Sequence, residues 1–483
     1  MTSSDSGMNI RTEQPKVWGR TSARLPQPLR GIRPGWSISM VMALVFMAAT
    51  ILPSISWAGH GLKIVWVTFA LWLIALFIEQ KRSHPNLMVA IHQRMFELGM
   101  FACWCTVVIL NTALGRGYVG EYHLLLMGTQ AAFIIVELYY SSATDGRYKI
   151  LILALIITIG IEVVRSLPFL LSSTSISRQI ATGLMENEQV SALAAFGIGS
   201  YSLYTGLGIT SVVQFGLALS QRGWLRYLLL ASAIGCAVGV ILSMFLAASL
   251  IMLMGWLLLM GVYVWQHPSR LRAMLTILLV ASLLCITWST QIVKTEQGMY
   301  LQEKYFEIIH HGTVSTSTAI SNNDFDTRTE VYSISLNTIA SFPVFGVGPS
   351  TGSRNPNYLK YVGGHSSWLD FLAEYGFFGF GFYLIYFAAV CYRVVRFSLR
   401  TNADPLFSAG RIIACLLFLF FGFINPIINQ PVIIGLFYFS VVMGTGYIPV
   451  HLRNRLGIPH PGHQVNTTSV LQSVDRQPSR GSG

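Results

Sequence analysis

The chain has 483 residues, of which 53% are hydrophobic and only 11% charged. Soluble domains carry about 25% charged residues, so most of this chain is not built to meet water. A formal charge of +12 would suggest nucleic acid in a soluble protein, but here it fits Lys and Arg gathered on the cytoplasmic loops of a membrane protein.

Residues 1–35 are polar and hold Arg11, Lys16, Arg20, Arg24, Arg30 and Arg33. No short apolar stretch with a small-residue cleavage site precedes the first span. The segment therefore reads as a disordered cytoplasmic tail and not as a cleavable signal. Apolar runs follow at 37–57, 62–79, 95–114, 122–140, 149–166, 202–220, 227–244, 247–265, 273–292, 376–395, 411–429 and 431–449. Each is near the ~20 residues a bilayer requires. The expected fold is an all-α polytopic membrane protein of about 12 transmembrane helices, spans one to nine in 36–292 and ten to twelve in 376–450. The 39 residues from 227 to 265 must form two spans with almost no turn. The six cysteines all fall in apolar runs and form no CxxC pair, which excludes a disulfide framework or zinc site.

Orientation follows from the short loops. Every even-numbered span exits into basic residues: Lys81, Arg82 and Arg94; Arg147 and Lys149; Arg222 and Arg226; Arg270 and Arg272; Arg393, Arg396, Arg400 and Arg411; Arg453 and Arg455. These loops and both termini are expected in the cytoplasm, the C-terminal tail being 451–483. Two long polar stretches are then non-cytoplasmic. One is 167–200; the other begins at 293, reaches about 366, and with the motif leading into span ten makes a region of 293–375. Long ordered loops usually carry function.

The second region ends in GGHSSWLDFLAEYGFFGF. Ser367 and Asp370 form a capping box, so a helix is expected from about Trp368. Gly363 and Gly364 free the backbone before His365, which lies beside a helix N-terminus. Such an end favours anions and disfavours imidazolium, and a neutral imidazole can accept a proton from a hydroxyl. The alternative is a capping or interfacial histidine without chemistry. Upstream, Thr327 and Glu330 make a second box that predicts a helix over 328–340, stopping before Pro343. Arg328 in its first turn opposes the helix dipole, which points to an anion partner or to an ordinary surface ion pair with Asp324 or Asp326. Glu97, Glu137, Glu162 and Arg165 lie at or within spans and are functional candidates by position. Glu162 and Arg165, three apart, read more simply as an ion pair.

The stretch from Gly363 resembles the O-antigen ligase and Wzy-type polysaccharide polymerase superfamily. The residues that carry the resemblance are His365, Leu369, Leu372, Glu374, Gly376 and Gly379, with Pro343, Phe345, Gly346 and Gly348 upstream and Arg328 opening the helix before them. Gly197–Tyr201 and the position of Arg178 are similar as well. The resemblance implies a GT-C-like glycosyltransferase of the cell inner membrane. Its substrate would be a polyprenyl-pyrophosphate-linked oligosaccharide. A chain-length regulator and a flippase of the same pathway would be partners, no cofactor or metal would be needed, and nucleic acid is not a partner. Carried over, His365 would be the base and Arg328 would neutralise the leaving pyrophosphate. Arg178, Arg354, Lys360 and Glu374 would bind substrate. Where many members have Ser-Arg-Gly near span eight, this chain has Ala247-Ala248-Ser249-Leu250. Another cation must serve, or the carrier is bound differently. The resemblance leaves a polymerase and a ligase open and leans to the polymerase. A transporter would suit twelve spans, but no duplication of two halves is visible.

Overall fold

The computed structural model describes residues 37–52, 61–80, 86–114, 121–141, 147–172, 176–182, 187–243, 245–270, 324–348, 361–400, 405–428 and 430–445. All regular elements among them are helical. In chain order they are α1 (Ile38–Ile51), α2 (Gly61–Gln80), α3 (Asn86–Gln93), α4 (Met95–Ala113), α5 (Glu121–Ser141), α6 (Arg147–Ser172), α7 (Ile176–Thr182), α8 (Asn187–Ala195), α9 (Tyr201–Ser220), α10 (Trp224–Leu242) and α11 (Leu246–Gln266). After these come α12 (Asp324–Ser341), α13 (Ser367–Arg400), α14 (Pro405–Ile424) and α15 (Pro431–Phe437), which runs on as a π turn over Tyr438–Val442.

Seven of these are long and apolar enough to cross a membrane: α4, most of α6, α9, α10, α11, nearly all of α13, and α14. Shorter apolar helices lie at Ile38–Ile51, Ile64–Glu79, Leu126–Tyr140 and Pro431–Val442, over the predicted spans one, two, four and twelve. The span expected at 273–292 and the tails 1–35 and 451–483 lie outside the described residues. The crowded stretch 227–265 does form two helices, broken around Ser243–Phe245. Two boundaries differ from expectation. α6 continues six residues past the predicted end of span five, to Ser172, with Pro168 inside it, and the loop after it carries α7 and α8. α13 starts at Ser367, close to the start expected near Trp368, and runs on into the span expected from 376. α14 ends at Ile424 instead of 429, because Pro426 cannot continue a helix.

α9 is the central post, buried along nearly its whole length from Leu203 to Gly216. It packs against α10, α11, α14 and α15. Small residues allow these approaches: a Cβ on Gly208 would lie 2.9 Å from the Ala248 carbonyl, and one on Gly216 2.7 Å from that of Leu406. α13 is seated on α4 by an aromatic seam. Trp104 stacks on Phe371 at 6.0 Å and meets Tyr383 at 4.9 Å.

At the other end of α13 the structure corrects the charge reading. Arg94, expected on a cytoplasmic loop, is 5% exposed and paired with the buried Glu137. Arg393 is held by Glu97 (3.0 Å) and Glu137 (3.2 Å) and donates to Thr445 Oγ1 (2.6 Å). Arg411 is buried, donates to the Met443 carbonyl (2.6 Å) and lies 4.4 Å over the Phe407 ring. Two arginines and two glutamates neutralise one another inside the bundle, so Glu97 and Glu137 serve as structural counter-ions. Arg222 and Arg396 stay exposed.

Candidate active site

The stretch into α13 is held at nearly every residue. Ser366 is the N-cap: its hydroxyl accepts from Leu369 N–H (3.2 Å). The capping box expected at Ser367 is therefore shifted by one. Ser367 instead donates through its hydroxyl to the Asn425 carbonyl (3.0 Å) and accepts from Ile428 N–H (3.0 Å). Trp368 donates through Nε1 to the Leu419 carbonyl (2.8 Å). The break between α14 and α15 is thus the anchor for the start of α13.

Asp370 organises the other side. Its Oδ1 accepts from the Ser335 hydroxyl (3.0 Å) and Gly364 N–H (3.2 Å), and its Oδ2 from Ser366 N–H (3.1 Å). Ser335, on α12, also accepts from Gly363 N–H (2.9 Å). The loop runs so close to α12 that a Cβ on Gly363 would overlap the Val331 carbonyl. Of residues 362–368 only His365 is exposed. The backbone is pinned inside while the imidazole is presented outward, directly before the capped helix end.

The second glycine pair has a backbone explanation. At Gly376 (φ 63°) α13 departs from helical geometry. The carbonyls of Ala373 and Glu374 accept instead from Val347 N–H (3.0 Å) and Gly348 N–H (2.8 Å). The amides of Phe377 and Phe378 turn to the carbonyls of Pro343 (2.7 Å) and Val344 (3.1 Å). Four groups freed by the kink all find partners in the 343–348 turn, as buried backbone requires. Asn111 on α4 also donates to the Phe345 carbonyl (3.0 Å).

Residues 234–384 match the family model Wzy_C, described as O-antigen ligase. This match supports a place for the chain in the O-antigen ligase and Wzy superfamily. The O-antigen ligase match begins in α10, ends in α13, and takes in α12, the 343–348 turn, the kink and the His365 loop. Together with the seven long apolar helices it supports a multi-pass membrane protein of the O-antigen ligase type. A search of curated proteins found no match.

Of the residues expected at the site, His365 and Glu374 are fully described. Glu374 is 1% exposed, one turn after Asp370 at the kink, so it faces the protein interior. Arg328 lies on α12 and Arg178 on α7, with their side chains outside the described residues, as are Arg354 and Lys360 entirely. α12 starts at Asp324 rather than 328, which puts Arg328 beyond the first turn. Asp324 and Asp326 take the dipole-favoured N-terminal positions. Positions 328 and 335 are seven apart on α12, two turns along the same helix. Glu162 and Arg165 form the expected ion pair (3.4 Å), with Arg165 also donating to the Ala195 carbonyl (2.7 Å). Sequence reasoning missed Ser335 and the inward role of Asp370. An acid four residues after a serine N-cap was the available signal.

Proposed function

We propose that the protein polymerises polyprenyl-pyrophosphate-linked oligosaccharide repeat units into exopolysaccharide or O-antigen on the periplasmic side of a bacterial inner membrane. The observation that carries the reading is the exposed His365, pinned at the mouth of α13 within the matched O-antigen ligase domain. A hydroxyl oxygen of the acceptor sugar attacks the anomeric carbon of the donor. The bond from that carbon to the pyrophosphate oxygen breaks, and the carrier leaves with the electron pair. His365 takes the hydroxyl proton. Arg328 balances charge on the leaving pyrophosphate, where an oriented guanidinium acts most strongly. Arg178, Arg354 and Lys360 are further candidates for the pyrophosphate.

The test is His365→Ala in the full-length protein. Membrane insertion should be normal and glycan lengthening should fall by about 10²–10⁴, the usual range for a lost general base. Polymer at the normal rate would remove His365 from the mechanism.

The family description favours a second reading, transfer of a finished glycan to lipid A core or to protein. A deletion strain separates the two. Loss of long chains with single-repeat products retained supports the polymerase. Full-length lipid-linked polymer that never reaches its acceptor supports the ligase.

A further inference from the structure

Asp370 does more than a helix cap requires. The cap itself is complete with the Ser366 hydroxyl on Leu369 N–H. Asp370 is nevertheless buried at 1% exposure, and its hydrogen-bond partners among the described residues are all neutral: Ser335, Gly364 and Ser366. Glu374, a second buried carboxylate, lies one turn further on. Burying a carboxylate is unfavourable unless hydrogen bonds replace its water. Here three donors do so, and two of them are the amides on either side of His365. The third belongs to α12, the helix that carries Arg328.

We infer that Asp370 is a positioning residue that locks the His365 loop and the Arg328 helix into one unit. The inference rests on the reading of His365 as base. A buried hydrogen bond is costly to leave unmade, and backbone amides leave the loop no rotamer freedom through which to drift. Ser335 completes the device by tying Gly363 and Asp370 to the same hydroxyl. The proton-accepting atom and the cation for the leaving group thus share one rigid frame, although 37 residues separate them in the chain. Displacing a catalytic group by about 1 Å can cost about 10²-fold in rate.

The experiment uses the full-length protein in nanodiscs. Its substrate is the host's own lipid-linked repeat units, extracted from a strain lacking this protein. Asp370→Asn keeps the shape and one acceptor oxygen; Asp370→Ala removes both. With Asp370→Asn, kcat should fall about 10-fold, and with Asp370→Ala about 10²-fold, while KM for the lipid-linked donor stays within about twofold. Ser335→Ala should act in the same direction, less strongly, and keeps the test alive should Asp370→Ala fail to fold. In a His365→Ala background the Asp370 substitutions should cost nothing more, as expected for residues acting as a unit. Unchanged kcat in the Asp370 variants, beside an inactive His365→Ala, overturns the positioning role and leaves His365 as base. A raised KM with kcat intact, or a further loss in the His365→Ala background, also overturns it. Full activity of His365→Ala defeats the reading of the base, and the inference with it.

Discussion

On the proposed reading His365 and Arg328 divide the chemistry between them, and each makes a separate demand. As a base the histidine must be neutral when it takes the proton. The arginine must spread its charge over phosphate oxygens, which a planar fork does and a single ammonium does not. Arg328→Lys should therefore lose most of the activity despite keeping the charge. Turnover of the lipid-linked donor by the purified variant checks this, and wild-type turnover would show that a point charge suffices. The histidine was legible in the sequence because two glycines and two serines surround it. The carboxylate behind it was not, since Asp370 reads as an ordinary capping acid until Ser335, 35 residues earlier on α12, is seen donating to its Oδ1.

At the scale of elements, the 343–348 turn and the kink in α13 are one feature. Each satisfies backbone groups of the other. The turn supplies the two donors that the kinked helix must satisfy and takes up the two amides that it releases. Gly346 and Gly376 both have positive φ, and a Cβ on either would overlap backbone across the joint. Gly376→Ala should therefore displace the turn, lower the melting temperature in detergent and abolish glycan lengthening. Gly381, one turn later in the same helix, is a matched control because a Cβ there meets nothing within 4 Å. Gly381→Ala should leave activity intact and stabilise by up to about 1 kcal/mol, the helix-interior difference between the two residues. Equal tolerance of both substitutions would deny the joint its structural role. The glycine spacing was visible in the sequence. Their pairing was not, because periodicity reports on neighbours along one helix and is silent about a turn that inserts into its break.

The whole molecule shows where charge-based reading works and where it fails. Counting basic residues after each span treats every arginine as wet. Arg94, Arg393 and Arg411 are not; they lie inside the bundle against Glu97, Glu137 and backbone carbonyls. Arg222 and Arg396 are exposed, and the basic-loop rule would put their ends of the bundle in the cytoplasm. Tyr361, which is exposed beside the histidine loop, is then expected on the opposite side. Tyr361→Cys, in a chain with its native cysteines replaced, should react with an impermeant maleimide from the periplasm of cells with a permeabilised outer membrane. Labelling only after lysis would invert the topology.

The buried charges also set a test of assembly. Glu137 is shared by Arg94 and Arg393, and through Arg393 it reaches Thr445 near the end of the described chain. Removing it leaves two guanidinium groups facing one remaining carboxylate, Glu97. Breaking a buried pair from one side costs about 3–5 kcal/mol, chiefly because the partner charge is stranded. Glu137→Met should therefore lower the melting temperature markedly and loosen α5 from α13. Adding Arg94→Met restores neutrality, with Arg393 still held by Glu97 in a two-point contact at 3.0 and 3.2 Å. The double variant should accordingly melt above the Glu137→Met single variant, although it has lost one more interaction. A double variant that melts lower would mean that the four charges contribute as separate contacts. A recovery would mean that charge balance inside the bundle, more than any one pair, holds these helices together.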